Sequence, residues 1–300
     1  MKYYNRGGEV EITETTDFDL ERIFECGQCF RWDADGSGGY TGVAFGRAAR
    51  LRCDSGSIFI TGTIEDYETI WRGYFDLDRD YGEIRERLCI DDFMRKACGF
   101  GAGIRILRQD KWEALCSFII SQCNNIPRIK KIISTLCREF GDSIKLSGET
   151  FYAFPSAATL AALKETDLAS LRCGYRAEYI FGAAQAVASG ALDLDALSLG
   201  PPENARTALK KLRGVGDKVA DCVVLFGLHM LDAFPLDVWM KRAVAEHYGT
   251  DFDSSVFSPH AGVAQQYIFH YYRHLHGHSP GKPRHPAVGK DTRHKSIGSV

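Results

Sequence analysis

The 300-residue sequence predicts an α+β fold: an N-terminal antiparallel β-sheet domain with flanking helices, followed by an all-α domain built around a helix-hairpin-helix. Three observations carry this. Residues 1–95 hold short alternating runs, at 40–45, 50–53 and 57–61, broken by Asp-Gly, Gly-Gly and Ser-Gly turns. Residues 111–276 read instead as successive helices. Within them, the turn Gly214-Val215-Gly216 separates a short helix from a nearly all-apolar one.

The elements follow in order. Two helices, at 18–24 and 64–71, flank the sheet of a domain expected to span 1–95. The helical domain, 96–276, contains helices at 111–121, 126–140, 166–171 and 177–188, the hairpin pair, and helices at 238–248 and 262–274. From 277 to 300 the chain has three prolines, several cations and almost no aliphatic residues, and is expected to be a disordered basic tail.

The hairpin carries the first chemistry. Glycines two apart before a helix let the backbone approach a ligand closely. Gly214, Val215 and Gly216 would then offer N–H groups to a phosphate oxygen. Lys210, Lys211 and Arg213 flank the turn and favour that reading over an ordinary core turn. Helix, G-V-G turn, helix is a sequence-independent grip on a DNA backbone.

Lys218 lies in the first turn of the apolar helix that continues through Phe226. It sits beside the positive end of the helix macrodipole and is partly withdrawn from water. A neutral amine is what a Schiff-base nucleophile requires. Asp237 follows Pro235-Leu236 and precedes the helix at 238–248. It suits an N-cap and also a carboxylate that stabilises an oxocarbenium-like sugar. The roles coexist, because a cap holds the carboxylate rigid.

The run Leu212 to Cys222 followed by Pro235-Leu236-Asp237-Val238 resembles the helix-hairpin-helix/Gly-Pro-Asp superfamily of base-excision DNA glycosylases. Five dispersed segments narrow the resemblance to the 8-oxoguanine DNA glycosylase/AP lyase family: Gly27 to Trp32, Tyr74 to Asp78, Asn124 to Ile129, Gly174 to Ala177, and Ala264-Gln265 with Phe269. The resemblance implies that Lys218 attacks the sugar C1′ and that Asp237 is the essential carboxylate. It implies that Gly27 reads oxidised guanine through its carbonyl, which accepts the N7 hydrogen that normal guanine lacks. Cys222 and Phe269 would sandwich the flipped base, and Gln265 would bond its Watson–Crick edge. Arg128 and Arg176 would read the orphaned cytosine, Tyr175 would wedge beside it, and Asn124 belongs to the same opposite-base segment.

Two positions depart from the family pattern. Cys123 replaces a third asparagine that fills the gap left by the extruded base, so looser opposite-base selectivity is expected. Trp239 replaces a phosphate-contacting histidine, and its indole donates one hydrogen bond without charge. Two alternatives stand beside the main reading. An alkylbase glycosylase of the same fold would lack the lysine. A non-catalytic helix-hairpin-helix DNA-binding module would need neither the Lys–Asp pair nor the sandwich residues.

Composition is compatible with this reading. The chain is 45% hydrophobic, enough to bury a sizeable core in one or two domains. Its formal charge of −2 is unevenly spread: residues 1–95 hold 12 Lys/Arg against 20 Asp/Glu, and residues 96–300 hold 25 against 19. The basic part contains the hairpin, as expected if that part faces damaged double-stranded DNA. Ten cysteines without a signal peptide suggest free thiols and an intracellular protein, in cytoplasm or nucleoid if bacterial and in the nucleus if eukaryotic. Cys26 and Cys29 lack a second C-x-x-C to complete a metal site. No cysteine follows Cys222, so no iron–sulfur cluster is expected, and no cofactor. No stretch reaches the roughly 18 apolar residues of a membrane span. No protein partner is implied, and a monomer is expected.

Overall fold

In the computed structural model, which describes residues 1–277, the three alternating runs join three further strands, not located from the sequence, in one six-stranded antiparallel sheet. Its strands are β1 (Lys2–Asn5), β2 (Glu9–Thr13), β3 (Trp32–Ala34), β4 (Tyr40–Ala44), β5 (Arg47–Asp54) and β6 (Ser57–Thr61), in the order β1-β2-β6-β5-β4-β3. The register pairs Val10 with Ile60 and Ile12 with Ile58, so the period-2 pattern puts these side chains on one buried face. Beneath it, Phe24 stacks on Trp32 with ring centroids 4.6 Å apart, and Trp32 Nε1 donates to the Tyr74 hydroxyl at 2.7 Å. This first core runs as far as Leu77 and includes Leu107.

The second core is helical. Helices Lys111–Ser121 and Ile126–Phe140 have the expected bounds. Asp110 caps the first, accepting from Glu113 N at 2.8 Å; Asn125 caps the second, with Pro127 in its first turn. Ile129, Ile132, Ile133, Leu136 and Cys137 recur three or four apart and are all buried. Each such aliphatic side chain contributes roughly 1.5–3 kcal/mol on burial.

Several features differ from expectation, among them the short helices Ala157–Ala161 and Leu194–Leu199, which were not foreseen, and the 3-10 rather than α-helical segment Glu165–Leu171. Helices Tyr81–Leu88 and Asp92–Phe100, not foreseen from a charged stretch, bury Tyr81, Ile84, Leu88, Met94 and Ala97 in the second core. The helical domain is also not purely helical. Strands β7 (Ser143–Leu146) and β8 (Glu149–Tyr152) form a hairpin whose loop, Ser147-Gly148, has φ of +49° and +84°. Positive φ at both loop residues gives the twist that a two-residue hairpin needs. Finally, the apolar helix of the hairpin is α-helical only over Asp217–Cys222 and widens into a π-helical turn, Val223–Gly227. The expected tail lies outside the described residues, apart from Gly277.

The two cores are joined by buried polar contacts. The Arg31 guanidinium pairs with Glu113 at 2.9 Å, and Arg105 donates to the carbonyls of Thr16, Asp17 and Asp76. Asp76, nearly fully buried, accepts from Arg79, Arg108 and Tyr81. His229 Nε2 lies 3.4 Å from the same carboxylate, on a residue with φ +54°. The Tyr74 to Asp78 segment is therefore an interdomain clasp.

Candidate active site

The hairpin is built as the sequence suggests. Helix Pro202–Leu209 leads into the turn, where Gly214 has φ +82° and a Cβ would overlap the Tyr179 ring. Val215 is buried beneath the turn, while a Cβ on Gly216 would meet only open space. The flanking cations are partly committed. Lys210 pairs with Asp217 at 2.5 Å, Arg213 pairs with Glu178, and Arg206 holds Asp221 at 2.6 Å. Burial raises the Asp221 carboxyl to about 6, against the pull of Arg206.

Lys218 and Cys222 lie one turn apart on the same face of their short helix. Asp237 caps helix Val238–His247, its Oδ1 accepting from Met240 N at 2.8 Å. Gln265 and Phe269 project four residues apart from helix Ala261–His276. With Gly27, whose φ is +87°, these six line a single small pocket. It opens onto a wider groove shared by Lys218, Asp237, Trp239, Phe269 and Asn124. Residues separated by up to 242 positions are thus brought to one site.

Gln265 is 5% exposed, and its Oε1 has no hydrogen-bond partner among the described residues. A buried unpaired amide oxygen costs about 1–3 kcal/mol, a cost that a hydrogen-bond donor on a bound ligand would remove. Burial pushes the Cys222 thiol up to about 11, against the nearby Lys218 ammonium, so it is a protonated, apolar wall at neutral pH. A Cβ on Gly27 would lie 3.4 Å from Phe269 Cε1, at the limit of ordinary contact.

Lys218 has a neighbour that the sequence did not suggest. Its Nζ is 3.5 Å from Ser121 Oγ and 5.5 Å from the centroid of the Phe118 ring. No local pattern marks Ser121, which ends helix Lys111–Ser121.

The residues expected to face the opposite base gather at a second, adjacent place. Cys123 is exposed, with φ +46°. Asn124 Nδ2 donates to the Ile120 carbonyl at 3.2 Å, and Arg128 donates to that of Arg172 at 3.2 Å. Tyr175 is 51% exposed, with the Arg176 guanidinium 4.5 Å from its ring centroid. Arg176 itself is buried and donates to the carbonyls of Gln122, Cys123 and Cys173. In this state it braces the loop. Trp239 borders the groove with Arg242 5.8 Å from its ring centroid.

All ten cysteines are free thiols, and Cys26 and Cys29 are buried. Among the described residues no group of three or more His, Cys, Asp or Glu is placed to hold a metal ion. No helix among them is long and apolar enough to cross a membrane.

Known proteins share this fold. The chain is similar to the MBOgg1 structure in complex with a low-affinity DNA ligand, at 42% identity and a TM-score of 0.88, covering 92% of this chain and 99% of that one. It is also similar to the Clostridium acetobutylicum 8-oxoguanine glycosylase/lyase in complex with double-stranded DNA containing cytosine opposite 8-oxoguanine, at 36% identity and a TM-score of 0.87, over 92% and 98% of the two chains. An N-glycosylase/DNA lyase of Saccharomyces cerevisiae is 31% identical over 267 residues, 80% of this chain and 71% of that protein. Residues 10–115 match the model of the 8-oxoguanine DNA glycosylase N-terminal domain, and residues 116–256 match that of HhH-GPD superfamily base-excision DNA repair proteins. With the sheet domain, the hairpin and the pocket between them all accounted for, the chain belongs to the 8-oxoguanine DNA glycosylase family of the helix-hairpin-helix/Gly-Pro-Asp superfamily.

Proposed function

We infer that this protein is a bifunctional DNA glycosylase and AP lyase that excises 8-oxoguanine from duplex DNA. The observation that carries the reading is the single pocket in which Lys218, Asp237 and the unsatisfied amide of Gln265 meet. An alkylbase glycosylase of the same fold would have no use for an amine there. A non-catalytic DNA-binding module would have no need of a buried amide without a partner.

In the proposed mechanism the lesion leaves the stack and enters the pocket, where no duplex base could be reached otherwise. The Lys218 amine attacks C1′. The C1′–N9 bond breaks, its electrons leave with the base, and the base takes up a proton. The attacking nitrogen gives up one proton, the ring oxygen O4′ takes one up as the C1′–O4′ bond breaks, and a protonated Schiff base is left. Removal of a C2′ proton then expels the 3′ phosphate by β-elimination. Asp237 stabilises positive charge at C1′ while its helix cap holds it in place. Cys222 and Phe269 stack on the base, Gln265 Oε1 accepts from its Watson–Crick edge, and Gly27 accepts from N7–H. A backbone acceptor facing N7 repels the lone pair of normal guanine, which makes this contact selective.

The backbone at Gly214, Val215 and Gly216 and the Trp239 indole contact phosphate. Asn124, Arg128, Tyr175 and Arg176 form the opposite-base side, where Cys123 offers less to cytosine than an asparagine would. The enzyme works as an intracellular monomer without a metal or other cofactor.

The test is chemical trapping. Incubation with 8-oxoguanine duplex and sodium borohydride yields a covalent protein–DNA adduct that Lys218→Gln abolishes. No adduct, or one that survives the substitution, rules out the Schiff base.

A further inference from the structure

A glycine at φ +87° is a flexible choice for a residue that must present one carbonyl in one direction. The neighbours of Gly27 supply the missing rigidity. The Cys26 carbonyl accepts from Gln266 Nε2 at 3.0 Å, and the Gln28 carbonyl accepts from Gln109 Nε2 at 2.7 Å. Gln28 is fully buried, its Nε2 donating to the carbonyls of Ile23 at 2.9 Å and Arg105 at 2.8 Å, its Oε1 accepting from Leu107 N at 2.9 Å. Both carbonyls that flank Gly27 are therefore held by glutamines from distant segments, one of them the helix that carries Gln265 and Phe269.

With the flanking peptides fixed, the Gly27–Gln28 peptide can turn over only by driving Gln28 to positive φ. That is a conformation Gln28 does not have here and one that non-glycine residues avoid. A buried side chain with three hydrogen bonds of its own adds further resistance.

We propose that Gln266 and Gln109 are positioning residues for lesion recognition, holding the Gly27 carbonyl in the orientation that accepts N7–H. The proposal rests on the assignment of Gly27 as the reader of the base. Gln266 lines the same pocket as Lys218 and Asp237, but its Nε2 is spent on the Cys26 carbonyl, so its loss is expected to weaken base reading more than Schiff-base chemistry. Because Gln266 adjoins Gln265, the acceptor for N7–H and the acceptor for the Watson–Crick edge are set by one helix, which fixes the distance between them.

The experiment compares two reactions of one variant. Gln266→Met keeps the volume and removes the donor. It is expected to slow single-turnover excision of 8-oxoguanine about tenfold more than cleavage at a preformed abasic site, which needs no base reading. In the Lys218→Gln background, the preference for 8-oxoguanine over 8-aminoguanine, which is similar in size but carries a lone pair at N7, should fall by a similar factor. If both reactions slow equally, or neither slows, the positioning role is overturned. If the Lys218→Gln protein binds both bases equally, the assignment of Gly27 fails and the proposal with it. Gln109→Met, at a half-buried site, carries the same comparison if Gln266→Met does not fold.

Discussion

Lys218 Nζ lies 3.5 Å from the hydroxyl of Ser121, which itself donates to the Phe118 carbonyl at 2.8 Å. The serine proton is thus committed, and its lone pairs face the amine. Ser121 can receive an N–H from Lys218 but not give a proton to it, which orients the amine above the Phe118 ring without competing for its lone pair. A net hydrogen bond of this kind is worth about 1 kcal/mol. Ser121→Ala is expected to slow single-turnover excision roughly fivefold with little change in DNA affinity. An unchanged rate would show that the serine does not orient the amine.

Gly214 tests the hairpin. Alanine there meets positive φ and the Tyr179 ring together, costing about 2–4 kcal/mol of stability if the ring does not move. Urea midpoints and DNA affinity should both fall. Combining Gly214→Ala with Tyr179→Ala should recover a large part of the stability loss, because it removes the overlap and leaves only the backbone strain.

His229 makes the protein sensitive to acid. Burial, with Arg108 and Arg79 nearby, lowers its imidazole to about 4 despite the Asp76 carboxylate. The folded protein therefore keeps His229 neutral, while the unfolded chain protonates it below its ordinary value near 6.5. Stability from this group is complete above pH 6.5 and is lost as pH falls from there towards 4, by up to about 3 kcal/mol. His229→Asn tolerates the positive φ and does not titrate. The difference in thermal midpoint between pH 7.5 and pH 5 should be smaller in the variant; an equal difference would place the acid sensitivity elsewhere.

Cys123 offers a gain-of-selectivity experiment. Its φ of +46° is one that asparagine adopts more readily than cysteine, so Cys123→Asn fits the backbone without strain. The wild-type protein should excise 8-oxoguanine opposite cytosine, adenine, guanine and thymine at rates within about tenfold of one another. One added hydrogen bond to cytosine should raise the preference for cytosine by about tenfold. Strong cytosine-only excision by the unmodified protein would refute the expectation.

Where the sequence was legible, one local signal sufficed. The bounds of helices Lys111–Ser121 and Ile126–Phe140 follow from Asp110 and Asn125 as caps, with a nearly continuous apolar run in the first and three-to-four spacing of apolar residues in the second. Lys218 and Cys222 could be placed relative to each other because one helical turn separates them, and Asp237 because it caps the next helix; that Asp237 meets Lys218 was legible only through the family resemblance. The β7–β8 hairpin was missed although Ser143 to Tyr152 alternates about a Ser-Gly turn, since its surroundings are helical. Ser121, Gln109 and Gln266 were out of reach for a different reason. Their roles depend on which carbonyl or amine a distant segment brings near, and no periodicity encodes that. The Asp76–His229 contact joins residues 153 positions apart by the same logic.

Arg176 enters the encounter with DNA already in use. In the proposed reading of an orphaned base, most of its donors are already spent on Gln122, Cys123 and Cys173, so a two-pronged contact to the base exchanges at least one hydrogen bond inside the loop. The net gain from an opposite base is then its own contact less the one given up inside the loop. A loop that holds its arginine firmly would raise the threshold for every opposite base alike, setting the overall strength of opposite-base reading and leaving the ranking of the bases to their own contacts.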